Sequence, residues 1–297
     1  MANQKVQSFE VSEADAVGDL VSRDRKSASR RLRVGLLPLG WFEWWPMFPE
    51  SDLEARIKAD ADRFLSEMKS RFGAQYDLVM PGSLVDTLDG AHDAGRLFHE
   101  QGVDLVILAE MTYLTDFIPL EALDQVPNVP VLIYATQATN DLWSTMGNLD
   151  VIRYEGLVGN AQLVGAFRKM GRPYRVVVGA LEDPQSFDDI GMHLRTTELV
   201  RSLRSMDIGL LGHTFRGMYD IEIDKTKVKG VFGPNVLYLD VTHLLSIWER
   251  IDDQAVTAFL QDLDARIPIP MSGIDEEDRR KSARLGLAVQ GLVRRFN

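Results

Sequence analysis

Two short, wholly apolar runs separated by a helix-length segment constrain this chain more than any other feature. Asp104 to Leu108 (DLVIL) and Val129 to Tyr134 (VPVLIY) are continuous and rich in β-branched residues. That is the pattern of parallel strands covered on both faces, not of alternating, half-exposed strands. A parallel pair needs a crossover of about a dozen residues or more. Thr115 to Val126 supplies one, with Leu120 and Leu123 spaced to face the sheet. In open α/β sheets ligands bind outside the carboxyl ends of the strands. Glu110, Thr112 and Tyr113 after the first run, and Thr136, Gln137 and Asn140 after the second, are therefore the first site candidates. Any one of them is as readily a loop polar or a helix cap, and it is their convergence at neighbouring strand ends that singles them out.

The flanking sequence extends the same alternation. Arg33 to Leu37 reads as a first strand, broken by Pro38 and Gly40, and the break delivers Trp41, Phe42, Glu43, Trp44 and Trp45 to its end. Ser51 with Glu54 predicts a capping box. Leu53, Ile57, Ala61, Phe64, Leu65, Met68 and Phe72 recur at steps of three and four, and Gly73 is placed for a left-handed cap. Tyr76 to Val79 predicts a second strand and Asp89 to Gln101 a second helix. Repeated strand and helix is the doubly wound parallel architecture. A helix from about Leu157 ends at Gly171-Arg172-Pro173, where a domain boundary is expected. Tyr174 to Gly179 would then open a second α/β unit, with Asp183-Pro184 starting a helix. Strands are expected at Ile208 to Leu211, Asp220 to Ile223 and Val236 to Leu239, and helices near His243 to Arg250, Asp253 to Ala265 and Asp275 to Phe296. The expected organisation is a flexible arm over 1–31, with a possible short helix at Ser12 to Val21, then an α/β domain over 32–171 and a smaller α/β domain over 172–297. Both domains are read as Rossmann-like.

Composition removes several function classes. The chain has 33 basic and 44 acidic side chains, a net charge of -11, which is the wrong balance for a nucleic-acid footprint. Zero cysteines rules out disulfides, thiolate metal sites and cysteine nucleophiles. No stretch approaches the ~18 uncharged apolar residues of a membrane span, and the N-terminus lacks the apolar core of a signal peptide. A cytoplasmic protein with a small-molecule ligand is the expectation.

Among motifs, neither G-x-G-x-x-G after a strand nor G-x-x-x-x-G-K-[ST] occurs. Gly156, Gly159 and Gly165 open a helix and could admit an anion, although close helix packing explains them more simply. Three of the five tryptophans lie within Trp41 to Trp45, around one carboxylate. Apolar sugar faces pack on aromatic rings while their hydroxyls need carboxylate or amide partners. A subunit contact would use the same residues. The histidines His92, His99 and His243 fall on presumed helices, His213 ends a strand, and none has a metal-ligand spacing. No G-x-S-x-G elbow is present.

The order of these pieces resembles the L-arabinose isomerase and L-fucose isomerase-like family. The segments that carry the likeness are VGLLPLGWFEWWPMFP, GVDLVILAEMTYLTDFIPL with VPVLIYATQATNDLW, EGLVGNAQLVGAFRKMGRPYRVVVG and FRGMYDIEIDKTKVKGVFGPNVLYLDVTHLL. The second pair includes a Thr-Gln-x-x-Asn pattern on Thr136, Gln137 and Asn140. The resemblance implies aldose-to-ketose isomerisation with manganese and a homo-oligomer, trimeric or hexameric. It implies sugar contacts from Trp41, Phe42, Glu43, Trp44, Glu110, Gln137, Asn140 and His213. The family's paired metal-binding glutamates and metal-binding histidine belong to a C-terminal portion without counterpart here, and its helix-opening histidine is absent between Gly156 and Gly165. No catalytic or metal-ligating residue is therefore assigned to this chain. A non-catalytic sugar-binding module and an assembly scaffold are the alternatives.

Overall fold

A computed structural model describes residues 30–140, 146–267 and 273–296. The expected N-terminal helix over Ser12 to Val21, and Trp143, lie outside the described residues. The described chain divides into two compact units, one of Arg30–Leu199 and one that begins at Val200. Both are α/β.

The first unit begins with β1 (Arg33–Leu39), two residues longer than expected because Pro38 stays in the strand. A four-residue helix α1 (Trp44–Met47) and the long α2 (Leu53–Phe72) follow. Then come β2 (Asp77–Val79), α3 (Leu88–Gln101), β3 (Leu105–Glu110), α4 (Phe117–Asp124) and β4 (Val131–Gln137). Helices α5 (Asn148–Tyr154) and α6 (Gly156–Met170) lead into β5 (Tyr174–Ala180) and α7 (Pro184–Ser205). The five strands form one parallel sheet in the order β2-β1-β3-β4-β5.

Tyr174 to Gly179 is thus the last strand of the first sheet and not the first of a second. Val131 to Gln137 pair with Tyr174 to Ala180 along their whole length. Gly171 closes α6 in the left-handed conformation, φ 71°, as its position before Arg172-Pro173 predicts. That turn ends a helix, not a domain, and the division falls between Leu199 and Val200.

Both faces of the sheet are covered, which is why β3 and β4 read as unbroken apolar runs. On one face Leu36, Ile107, Leu132 and Tyr134 pack with Ile57, Phe64 and Met68 of α2 and Phe187, Ile190 and Leu194 of α7. On the other, Leu37, Val106, Leu108 and Ile133 pack with Phe98 of α3, Ile118 and Leu123 of α4, and Leu163 and Phe167 of α6. Each such large apolar side chain contributes about 1.5–3 kcal/mol on burial. The apolar face of α2 follows the predicted residues, but its ends differ. Asp52 is the N-cap residue and Ser51 Oγ donates to Phe48 O at 2.7 Å, while Glu54 accepts from Lys58 Nζ at 2.5 Å. The expected capping box gives way to an i,i+4 ion pair. Gly73 is right-handed, φ -62°, because the chain continues as a turn that returns Gln75 and Tyr76 N–H to Phe72 O.

In the second unit β6 (Asp207–Leu211) pairs in parallel with β7 (Asn235–Leu239) through the crossover helix α8 (Lys225–Phe232). The strand expected at Asp220 to Ile223 is absent, and Tyr219–Ile221 form a 3-10 turn. Helices α9 (Val241–Trp248), α10 (Asp253–Arg266) and α11 (Glu276–Phe296) enclose Leu244, Ile247, Val256, Leu260, Ala288 and Leu292. Among the described residues no helix is long and apolar enough to cross a membrane.

Candidate functional site

The strand order reverses direction between β1 and β3, so the connections leaving their carboxyl ends diverge and open a crevice. Leu39 and Glu110 stand in register as the last residues of the two strands. The exit from β1 is fixed by Gly40 N–H to Val85 O at 2.9 Å and Phe42 N–H to Asp86 O at 3.1 Å, both in the loop after β2. Gly40 allows this approach, since a Cβ there would lie 2.8 Å from Leu84 Cδ2.

The loop then builds an aromatic wall. Trp41 meets Trp44 edge-on at 5.1 Å between ring centroids and Tyr113 at 6.1 Å, and Trp44 continues to Phe48 at 6.4 Å. Pairs of this geometry are worth about 0.5–1.5 kcal/mol each beyond the area they bury. Both neighbouring indole N–H groups are engaged. Trp44 Nε1 donates to Tyr113 O at 2.8 Å and Trp45 Nε1 to the Asp86 carboxylate at 2.8 Å. The loop after β3 is held in turn, with Thr112 Oγ1 donating to Ile152 O at 2.7 Å and Tyr113 OH to Gln162 Oε1 at 3.1 Å. Beside Phe48 lies a groove of about 660 Å³ lined also by Pro49, Glu50, Ser51, Asp52 and Leu149.

Of the expected contacts, Trp41 and Trp44 are half-buried in this wall, while Phe42 (44% exposed) and the Glu43 carboxylate project from it. Glu110 does not line the open crevice. It is 1% exposed, because its strand runs two residues past Leu108 and its side chain enters the layer beneath α6. A Cβ on Gly159 would stand 2.1 Å from Glu110 Oε2, and one on Gly156 would stand 2.2 Å from Glu110 O. These glycines serve close packing, whereas Gly165 has open space around it. Burial pushes the Glu110 carboxyl well above the usual range, and the charge of Asp116 pushes it the same way.

Gln137 and Asn140 belong to a second cluster, at the ends of β4 and β5. Gln137 O accepts from Leu181 N–H at 2.9 Å. Asn140 N–H and Thr139 Oγ1 both donate to the Glu182 carboxylate, at 2.8 and 2.9 Å, and these bonds hold its pKa below the ordinary value. Thr136 is buried. His213 lies exposed at the end of β6 in the second unit. Asp86 and Phe48, absent from the sequence reading, are part of the wall. The rule that points to the ends of β3 and β4 also points to the loop after β2. A further unanticipated feature is the two-pronged pair from Arg153 of α5 to Asp60 of α2, with both distances 2.6 Å.

Among the described residues no three His, Asp or Glu side chains stand where they could share a metal ion. The donor set that manganese would require is not found among them.

No family model matches the chain. It is 24% identical to L-arabinose isomerase from Bifidobacterium adolescentis over 148 residues, 49% of this chain and 29% of that enzyme. Against L-arabinose isomerase from Bifidobacterium animalis subsp. lactis the identity is 23% over 203 residues, 65% of this chain and 39% of the other. Against the enzyme of that name from Nocardioides sp. it is 23% over 169 residues, 56% and 34% respectively. The matches thus span between 29% and 39% of these relatives' length, and they support a sugar isomerase-like relationship over part of the chain.

Proposed function

We propose that the first unit binds an aldose, with an aldopentose such as L-arabinose as the first candidate, against the wall of Trp41, Trp44 and Tyr113. The observation that carries this reading is the position of the wall. Trp41 packs against both Trp44 and Tyr113 at the β1/β3 crevice, where doubly wound sheets bind ligands, in a chain partly similar to L-arabinose isomerases. The apolar C–H face of a pyranose lies against such rings, and the carboxylates of Glu43 and Glu50 accept hydrogen bonds from its hydroxyls. The indole N–H groups of Trp44 and Trp45 are committed to the protein, so polar recognition falls to these carboxylates and to backbone groups. Aldose-to-ketose conversion needs a base to move a proton between adjacent carbons. Glu110, enclosed under α6, is not placed to take it. The role assigned to this chain is accordingly binding and orientation of the sugar.

Thermal unfolding with and without millimolar L-arabinose tests this. The expected result is a concentration-dependent rise in Tm that Trp41→Ala abolishes. A Tm unmoved by any of the aldopentoses refutes the proposal.

A further inference from the structure

Beneath the aromatic wall lies a carboxyl group for which the sugar reading has no use. Glu110 is 1% exposed and its Oε2 has no hydrogen-bond partner. Asn160, one turn into α6 and 3% exposed, donates from Nδ2 to Gly156 O at 2.7 Å and leaves its own Oδ1 without a partner. A carboxylate buried without a counter-charge is costly, and such a group stays neutral instead.

Among the described residues no cationic side chain is paired with Glu110. Across the sheet Glu110 faces Leu39 of β1, and β4 (VLIYATQ) contains no charged residue. From the loop before α4 comes Asp116, and at the start of α6 stands Glu155. The basic residues of α6, Arg168 and Lys169, occupy its last turn. Arg153, in the last turn of α5, is committed to Asp60. Of these charged groups, the two that lie before the last turn of α6 and outside any ion pair among the described residues, Asp116 and Glu155, are acidic.

The backbone around Glu110 is also the backbone that holds the wall. Gly156 and Gly159 sit directly on Glu110 O and Oε2. The next residues after Glu110 tie back to α5 and α6 through Thr112 and Tyr113, and Tyr113 O holds Trp44 Nε1. We propose that Glu110 is a pH-operated latch: while protonated it lets α6 close on β3 and fixes Tyr113 against Trp41 and Trp44, and when ionised it releases α6 and loosens the wall. Ionisation buries a charge under the first turn of α6, where the two glycines leave no slack; the positive end of that helix's dipole offsets only a small part of the cost. Water must then enter to solvate it. The parting of α6 from β3 takes with it the Tyr113–Gln162 bond. This concerns the wall itself and holds whatever ligand the wall accepts.

The sign follows from linkage. An acid that binds its proton more tightly in the folded than in the unfolded chain contributes stability that is complete at pH values below the unfolded pKa. It is lost progressively as pH rises toward the folded pKa. The test compares the full chain with Glu110→Gln, which is isosteric and cannot ionise, by thermal unfolding and near-ultraviolet circular dichroism between pH 5 and pH 9 without sugar. The ratio of folding constants, wild type to Glu110→Gln, should fall about tenfold per pH unit until Glu110 ionises in the folded state. At that pH a near-ultraviolet transition should appear in the wild type and be absent from Glu110→Gln. Asp116→Asn, which keeps the carboxyl and removes the neighbouring charge, should move the transition to lower pH, and it carries the test should Glu110→Gln fail to fold. A constant ratio across the range overturns the proposal, as does a transition unmoved in both variants. No sugar enters these measurements, so their failure is distinct from failure of the sugar reading.

Discussion

At the scale of single residues the decisive fact is how little room surrounds Glu110. Gly159→Ala places a methyl group 2.1 Å from Oε2, and overpacking of this kind costs typically about 1–3 kcal/mol. Denaturant unfolding should report that loss, and the double variant with Glu110→Ala should recover most of it, since the two residues compete for one space. Equal losses in the presence and absence of Glu110 would place the strain elsewhere. The glycines were legible in sequence as packing or anion-binding residues, and the choice between them was not, because it depends on which side chain of β3 lies beneath. Glu110 itself was visible as a strand-end polar. Its burial was not, since nothing in the order of residues says that β3 runs two residues past Leu108. The aromatic loop was legible because three indoles so close together are rarely accommodated in a core. Its hydrogen bonds to Tyr113 O and Asp86 depend on register between distant loops.

At the scale of elements, α2 and α5 show the two extremes of legibility. The stripe of α2 from Leu53 to Met68 is buried as its spacing predicts. Helix α5 offers only Leu149 and Ile152 to the core, too few for a periodic signal, and is held instead by charge. Arg153 grips Asp60 with two bonds at 2.6 Å, and the side chains are 20% and 10% exposed. Removing one partner of a buried pair strands the other, at about 3–5 kcal/mol. Partial exposure of Arg153 places Asp60→Ala near the lower end, about 3 kcal/mol. Hydrogen exchange should show the loss concentrated in residues 148–154, and unchanged protection there would mean that the apolar contacts suffice. The reading of β5 as the start of a new unit fails for a similar reason. A strand, a helix and a further strand look alike whether the next strand joins the old sheet or begins another, and only pairing with β4 decides.

At the scale of the whole molecule, two α/β units of unequal size were legible from the alternation of apolar runs and helical stripes. The division was not, because it falls within α7, where no Gly, Pro or polar linker marks it. All five strands of the larger sheet and the helices that cover it lie between Arg30 and Ser205. A fragment of those residues should unfold in one cooperative transition with the near-ultraviolet signature of the Trp41–Trp45 loop intact, and a non-cooperative melt would show that the sheet depends on the remainder. Isothermal titration of the full chain with L-arabinose, in parallel with Trp41→Ala and Trp44→Ala, tests the sugar site most directly. The prediction is saturable binding by the wild type that both variants lose. Absence of saturable heat with L-arabinose and with the other aldopentoses, or binding undiminished in both variants, would contradict a sugar site at the β1/β3 crevice.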